Sequence, residues 1–437
     1  MPRKTDYKLN NGISSVDMLN AIRNSASSAY AEAVPIATAD NLREVGRAIM
    51  GSEAYTNEFL ENLLNRIGRT LLTAKSWNNP LKKYKLGLLE MGEIVQDIFV
   101  NSVEEKFYNM FNAEKEVFKV AIPDVRACYY QMNSQKVYKA TINESMLAQA
   151  FLSIDGVQNL VQSIISRIAF QDECYEFEVM MQIIKNAYQK GMFYPVKLDN
   201  APTTDATAKE LVKFARAQYS KVKYPSIDYN YIGVKTVSYA EDIMLVIDSD
   251  LEALLDVEVL AKAFNMEKAE FLGHLTVIPK MPIENCHAIM IDKNWFKVWD
   301  NKITTQTIYN SEGLYYNYTF HHWSTFCNSP FENAIIFTSE PSAITSITLD
   351  SSAISALADT TVNIKATIEA TGAGMKSAIF EVVSGNEFIK ELTGDGLTCK
   401  VSIRPDAPVG SQIVVKAIAK YDTTKTANCT ITVSSNL

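Results

Sequence analysis

The amino-acid sequence changes character at Ser339-Glu340-Pro341, and this break limits what the chain can fold into more than any other feature. The chain has 44 aromatic residues (4 Trp, 21 Tyr and 19 Phe), and only Phe380, Phe388 and Tyr421 lie beyond the break. All four Trp and all four His lie before it. The last 97 residues are rich in Thr, Ser, Val, Ile and Ala and are punctuated by Gly and Pro. That is the composition of short strands joined by turns. The expectation is a small β module appended to a larger mixed body.

At 437 residues the chain suggests two or three domains. With 47% apolar and 21% charged residues it can bury ordinary cores and is not a disordered chain. The formal net charge is −8. The tail holds eight Lys and Arg against nine Asp and Glu, so the body carries −7 of it. A sequence-reading grip on nucleic acid is not expected, because counterion release needs clustered Lys and Arg. Met1-Pro2-Arg3-Lys4 lacks a following apolar stretch, so no secretory signal is expected. There is no run of about 18 apolar residues, so no membrane span is expected either. Cys128, Cys174, Cys286, Cys327, Cys399 and Cys429 are widely spaced. They read as reduced thiols of a chain made in the cytoplasm, with a Cys399–Cys429 bridge as the less favoured alternative.

Periodicity places helices first. Val16, Leu19 and Ile22 share a face behind Ser14-Ser15; Leu42, Val45 and Ile49 follow Asp40; a third helix runs from about Thr56 to Gly68. From Thr70 to Ile142 the pattern is that of a long β hairpin, with strands at Leu71-Leu72 and Glu93–Ile98. The turn-rich, basic stretch Trp77–Gly87 reads as its projecting end. Such a ribbon is marginal alone in water and needs a surface to lie on, a neighbouring subunit being the natural one. Helices return at Val157–Ile168, Asp172–Lys190 and Asp205–Val222. Strands are expected at Ile243–Ile247, His274–Ile278, Ala288–Ile291, Ile303–Tyr309, Leu314–Phe326 and Ala334–Thr338, with a short helix at Val257–Phe264. The body is therefore α+β. The tail offers about seven strands (344–349, 362–368, 378–383, 387–392, 399–403, 413–419 and 427–433), the spacing of an immunoglobulin-like β-sandwich.

Few motifs point to chemistry. Asp248-Ser249-Asp250 follows an apolar strand, as the metal-binding carboxylates of sugar-nucleotide transferases do. The favoured reading is a helix N-cap, with Ser249 or Asp250 serving the free N–H groups ahead of Leu251. His321-His322 suggests metal, but neighbours on a strand point to opposite faces, and packing is favoured. Lys82-Lys83-Tyr84-Lys85 is a small basic footprint, read as a solvated tip or a subunit contact. Sequons at Asn143, Asn317 and Asn428 are no more frequent than chance. No phosphate-binding loop, dinucleotide fingerprint, zinc-protease helix or nucleophile elbow is present. No catalytic residue, metal or cofactor is assigned, and assembly is favoured over catalysis.

Specific wording then carries a resemblance. Asn20–Ser25, Val34–Ala39, Asn78–Lys83, Leu260–Met266, Phe271–Gly273, Asp292–Phe296, Gly313–Tyr315 and Phe331–Ala334 occur in this order across the body. In them the chain resembles the major capsid proteins of phi29-like tailed bacteriophages. The resemblance implies an HK97-type capsid fold. Residues 1–68 would form the N-terminal arm, 70–142 the extended loop, 143–222 and 317–340 the peripheral domain, and 224–316 the axial domain. The tail, 341–437, resembles the bacterial group 2 immunoglobulin-like (BIG2) domain around Gly394-Asp395-Gly396-Leu397, with Phe380 in place of a core Trp. The implied function is structural: a shell subunit of an icosahedral or elongated head enclosing double-stranded DNA without sequence-specific contact. The implied partners are other copies in hexamers and pentamers, a scaffolding protein, the portal and head fibres. It would reside in the virion, and in host cytoplasm during assembly, with no membrane partner. Asn78, Asn79, Pro80, Lys82, Lys83 and Lys85 are the candidate inter-subunit contacts. The other readings are a surface adhesion module and a metal-dependent sugar-nucleotide transferase using Asp248 and Asp250.

Overall fold

A computed structural model describes residues 15–71, 77–90, 93–101, 124–151, 156–255 and 273–435. The expected helix at Val257–Phe264, the start of the chain through Ser14, and Leu72 lie outside the described residues.

Four helices open the chain: α1 (Ser15–Ser25), α2 (Ser28–Ala33), α3 (Leu42–Met50) and α4 (Glu53–Leu71). The apolar stripes expected on three of them are buried: Leu19 and Ile22, Val45 and Ile49, Phe59 and Leu63. Helix α4 passes through Gly68 and takes in Leu71, where a stop and a strand were expected. An interior Gly costs only about 1 kcal/mol against Ala and does not by itself end a helix.

The stripes pack on Tyr316, Tyr318 and Phe320 of a four-stranded sheet. Its order is β1 (Lys85–Leu88), β9 (Phe296–Asn310), β10 (Tyr315–Asn328), β4 (Ser134–Asn143). The β9–β10 hairpin is antiparallel over its length, with β4 on its far side. A separate ribbon pairs β2 (Val95–Val100) with β3 (Val125–Tyr130).

A short helix, α5 (Glu144–Ala150), precedes α6 (Gly156–Gln189), a single helix of 34 residues. The two helices expected over 157–190 are therefore one, with Asp172 in its middle. Gly191 ends it at φ 66° and lets Met192 N–H reach back to Ala187 O at 2.9 Å. A left-handed turn of this kind favours Gly because it has no Cβ.

The second sheet of the body has the order β5 (Tyr194–Lys197), β11 (Ala334–Thr338), β8 (Cys286–Asp292), β6 (Ile243–Asp248), β7 (Leu275–Ile278). It is covered on both faces, so its strands read as continuous apolar runs. Leu245 and Ile247 of β6 meet Leu211 and Ala215 of α7 (Asp205–Val222). Val246, on the other face, meets Met180 and Ile184 of α6. Segments 194–197 and 334–338 thus share one sheet with 243–248, 275–278 and 286–292, and the β9–β10 hairpin straddles residue 316. The expected cuts at 222/224 and 316/317 therefore do not coincide with hydrogen-bonded units, because pairing joins strands that sequence order separates. Among the described residues no helix is long and apolar enough to cross a membrane.

The tail forms two facing four-stranded sheets. One runs β12 (Ala343–Leu349), β14 (Thr361–Thr371), β17 (Thr398–Ile403), β16 (Ile389–Asp395). The other runs β13 (Ala353–Leu357), β19 (Thr426–Ser434), β18 (Gln412–Ala419), β15 (Ala378–Ser384). Ile364, Val401, Val415 and Ile431 fill the space between, with Phe380 buried beside them. Strand β13, an edge strand parallel to β19, is additional to the seven expected. Half-buried Ile354 and Ala356 alternate with exposed Ala353, Ser355 and Leu357, so its sequence lacks a clean apolar–polar alternation. Cys399 and Cys429 are both buried in this core as free thiols.

Candidate assembly surface

The β2–β3 ribbon obeys the period of two. Its inner face holds Asp97, Phe99, Arg126, Cys128 and Tyr130. Phe99 stacks on Phe331 with centroids 5.8 Å apart, and Asp97 pairs with Lys297 at 3.2 Å. Arg126 is fixed by Asp124 at 3.0 Å and donates to Ile232 O at 3.0 Å. The outer face sets Gln96 opposite Tyr129, Ile98 opposite Ala127 and Val100 opposite Val125. These residues are left in solvent: Ile98 is 54% and Tyr129 60% exposed. Ile94, Val100 and Val125 are exposed beside them. An apolar stripe on a two-stranded ribbon, held from behind and open in front, is the kind of surface that a partner covers.

The stretch Trp77–Gly87 is not the projecting end that was expected. Leu81 and Tyr84 are fully buried among Met180, Ile184 and Phe296. The Tyr84 hydroxyl meets Thr276 Oγ1 at 2.7 Å. Asn79 is buried, its N–H donating to Glu173 Oε2 at 3.2 Å and its Oδ1 accepting from Leu81 N–H at 2.9 Å. Lys82 pairs with Glu173 at 3.0 Å. Lys83 donates to Gly273 O and Leu275 O at 2.9 and 2.8 Å, and burial pushes its ammonium down to about 8. Lys85 pairs with Glu176 at 2.6 Å and Asp300 at 2.7 Å. Of the six candidate contacts, Asn79, Lys82, Lys83 and Lys85 therefore have partners within the chain. Asn78 is exposed and Pro80 half-buried. A turn-rich, basic stretch reads as solvated, and only the long-range carboxylates on α6 show that it is an anchor.

Under this anchor lies a cavity of about 320 Å³ lined by Lys85, Asp172, Glu176, Asp300 and His322 among others. His322 engages Asp172 at 2.8 Å through Nδ1 and Asp300 at 2.9 Å through Nε2. Burial opposes its charge, but the hydrogen bonds to the two aspartates outweigh it and push the imidazolium up to about 10. Burial likewise opposes the charge on Asp300, yet the bonds from His322 and Lys85 hold it below the usual carboxylate range. His321, on the other face, is half-exposed. The sequence reading looked for ligands adjacent to the His pair; the carboxylates come from α6, 150 residues away in the chain. The available signal was the i, i+4 spacing of Asp172 and Glu176 on one helix face.

Asp248 itself, rather than Ser249 or Asp250, caps the following helix α8 (Ser249–Leu254), accepting from Leu251 N–H at 2.9 Å. Ser249 Oγ turns to Ile278 O at 3.2 Å.

Comparison with known proteins adds the decisive observation. The family model for the Phi29-like phage major capsid protein matches residues 19–338. The chain belongs to this family. It is 38% identical to the major capsid protein of Bacillus phage PZA over 396 residues, covering 90% of this chain and 88% of that protein. It is 41% identical to the major capsid protein of Bacillus phage B103 over 335 residues, covering 76% of this chain and 75% of that one. The PZA match spans more than the body alone supplies, so the likeness reaches into the tail. Among solved structures, the capsid of Staphylococcus phage Andhra aligns at a TM-score of 0.52 and 15% identity, covering 62% of this chain and 86% of that chain, a likeness of fold. The protein is a phage major capsid protein, a structural component of the virion and not an enzyme. The transferase and adhesion readings are not favoured.

Proposed function

We propose that copies of this chain build a closed head around double-stranded DNA, each copy laying the outer face of its β2–β3 ribbon on a neighbouring copy. The exposed apolar stripe Ile94, Ile98, Val100, Val125 and Tyr129 carries this reading. Its occupant is a second copy because a shell sets identical chains side by side, and repeated modest contacts add up through multivalency. Of the six candidate contacts in the basic stretch, Asn78 and Lys83 have exposed side chains and remain available to a neighbouring copy. An HK97-type organisation is supported by three features: the long helix α6, the ribbon as extended loop, and the five-stranded sheet with helices on both faces. The two facing sheets of the tail support an immunoglobulin-like domain of the BIG2 kind. A scaffolding protein, the portal and head fibres are partners in the same reading, with assembly in host cytoplasm. The negative net charge fits a container whose DNA is not gripped by sequence.

The test is the double substitution Ile98→Asp with Tyr129→Asp. The expected outcome is a chain with unchanged circular dichroism and melting temperature that yields no shells by sedimentation and negative-stain microscopy. Shells at the unaltered yield overturn the ribbon contact.

A further inference from the structure

The cavity beneath the anchor brings together side chains from three elements: Asp172 and Glu176 from α6, Asp300 from β9 and His322 from β10. One atom each from Asp172, Glu176 and His322 lie within 4.8 Å of one another. His322 Nδ1 stands 2.8 Å from Asp172 Oδ1 and 3.9 Å from Glu176 Oε1. Ligands around an ion held at about 2.1 Å stand about 3.0–3.4 Å apart, so small side-chain adjustments close the set. On its far side the ring meets Asp300 Oδ1 at 2.9 Å. A carboxylate taking the second ring N–H of a histidine fixes its tautomer and aims its other nitrogen at a metal.

Two further observations point to a cation site. Glu176 is 3% exposed, lines the cavity, and its buried Oε2 has no hydrogen-bond partner among the described residues. Lys85 occupies the other oxygen, Oε1. An unpartnered buried carboxylate oxygen is costly and calls for a positive partner. The local charge agrees. Asp172, Glu173, Glu176 and Asp300 face Lys82, Lys85 and His322. The four carboxylates outnumber the two ammonium groups beside them, an excess that suits a bound cation.

We propose that this cavity binds one divalent transition-metal ion, ligated by Asp172, Glu176 and His322 Nδ1, with Asp300 as the positioning residue. One imidazole with two carboxylates suits zinc or manganese rather than the all-oxygen shells of calcium. The proton on Nδ1 passes to solvent as the ion enters. The ion ties α6 to the β9–β10 hairpin, directly under the stretch that leads to the ribbon.

The test uses the full chain, stripped with a chelator and dialysed against Zn²⁺, with bound zinc measured by mass spectrometry. The expected result is about one ion per chain. His322→Gln and Glu176→Gln should abolish it, and Asp300→Asn should weaken it about 10–100-fold. Asp248→Asn with Asp250→Asn should leave it unchanged. Co²⁺ on the unaltered chain supplies a readout independent of variant folding, with visible absorption bands expected. The proposal is overturned if the unaltered chain holds no stoichiometric zinc, if Co²⁺ gives no bands, or if correctly folded His322→Gln and Glu176→Gln chains bind as tightly as the original. Ion binding does not require shell formation, so either result leaves the ribbon contact to its own test.

Discussion

Lys420 is a tail residue buried against the body, 8% exposed, with its ammonium donating to Asn230 O. Burial pushes it down from 10.5 to about 7; Asp228 opposes that shift and Arg126 adds to it. Between those two values the unfolded chain holds a proton that the folded chain has lost. Stability therefore rises with pH across that window, at up to about 1.4 kcal/mol per pH unit, and the penalty is at its full size below about pH 7. Lys420→Met should remove this rise, whatever it does to absolute stability. Denaturant midpoints at pH 7, 8 and 9 check it: parallel slopes for the two chains would sink the assignment. The Lys420 seat was not legible in the sequence, and the His322 cluster was legible only as the i, i+4 spacing of Asp172 and Glu176. A lone Lys just past the end of an alternating strand reads as solvated, and nothing local joins a helix face to a His 150 residues away in the chain. The cap at Asp248 was legible in kind, because cap chemistry is local, but its position was off by one or two residues.

At the scale of elements, periodicity served where one face of an element is buried and the other is wet. The stripes of α1, α3 and α4 and the alternating strands of the tail are of that kind. It failed where tertiary contact overrides local chemistry. Asn78-Asn79-Pro80 and three lysines suggest a solvated tip, yet carboxylates on α6 draw the stretch into the core. The two lysines that pair with α6 should differ in weight. Lys82 keeps 37% of its side chain exposed, and such pairs contribute about 0–1 kcal/mol. Lys85 keeps 11%, and its loss leaves Glu176 and Asp300 without their ammonium. Breaking one side of a buried pair costs about 3–5 kcal/mol. In denaturation with chelator present, Lys85→Met should therefore be far less stable than Lys82→Met. Equal effects would show that Leu81 and Tyr84, not charge, hold the anchor.

For the whole molecule, the compositional break marks a true change of architecture but not a loose joint. Strand β11 ends at Thr338 and β12 begins at Ala343, and the link between is pinned: Ser339 N–H donates to Asn285 O at 3.2 Å, and its hydroxyl meets His287 Nε2 at 2.9 Å. The tail then seats on the body at several points. Lys376 N–H donates to Gly191 O at 2.9 Å, Ser377 Oγ to Tyr231 O at 2.5 Å, and the Tyr421 ring packs edge-on against Tyr194 at 5.7 Å. Gly191 has no room for a side chain, since a Cβ there would fall 2.7 Å from Lys376 N. Composition reveals a second core but says nothing of the contacts that join two cores, and those contacts decide what the tail does. Because the body's core takes only Ala373 from the tail and the tail's core is closed by its own residues, a chain cut after Glu340 should fold. Because the seat is lost, exposing Tyr194, Tyr231 and the Asn230 carbonyl, that body should melt at a lower temperature than the full chain. Shells built from it should form and then break at lower temperature than full-length shells, measured by light scattering during a thermal ramp. A truncated body that does not fold would show that the seat is part of the body's own core. Shells as heat-resistant as the originals would show that the tail braces nothing.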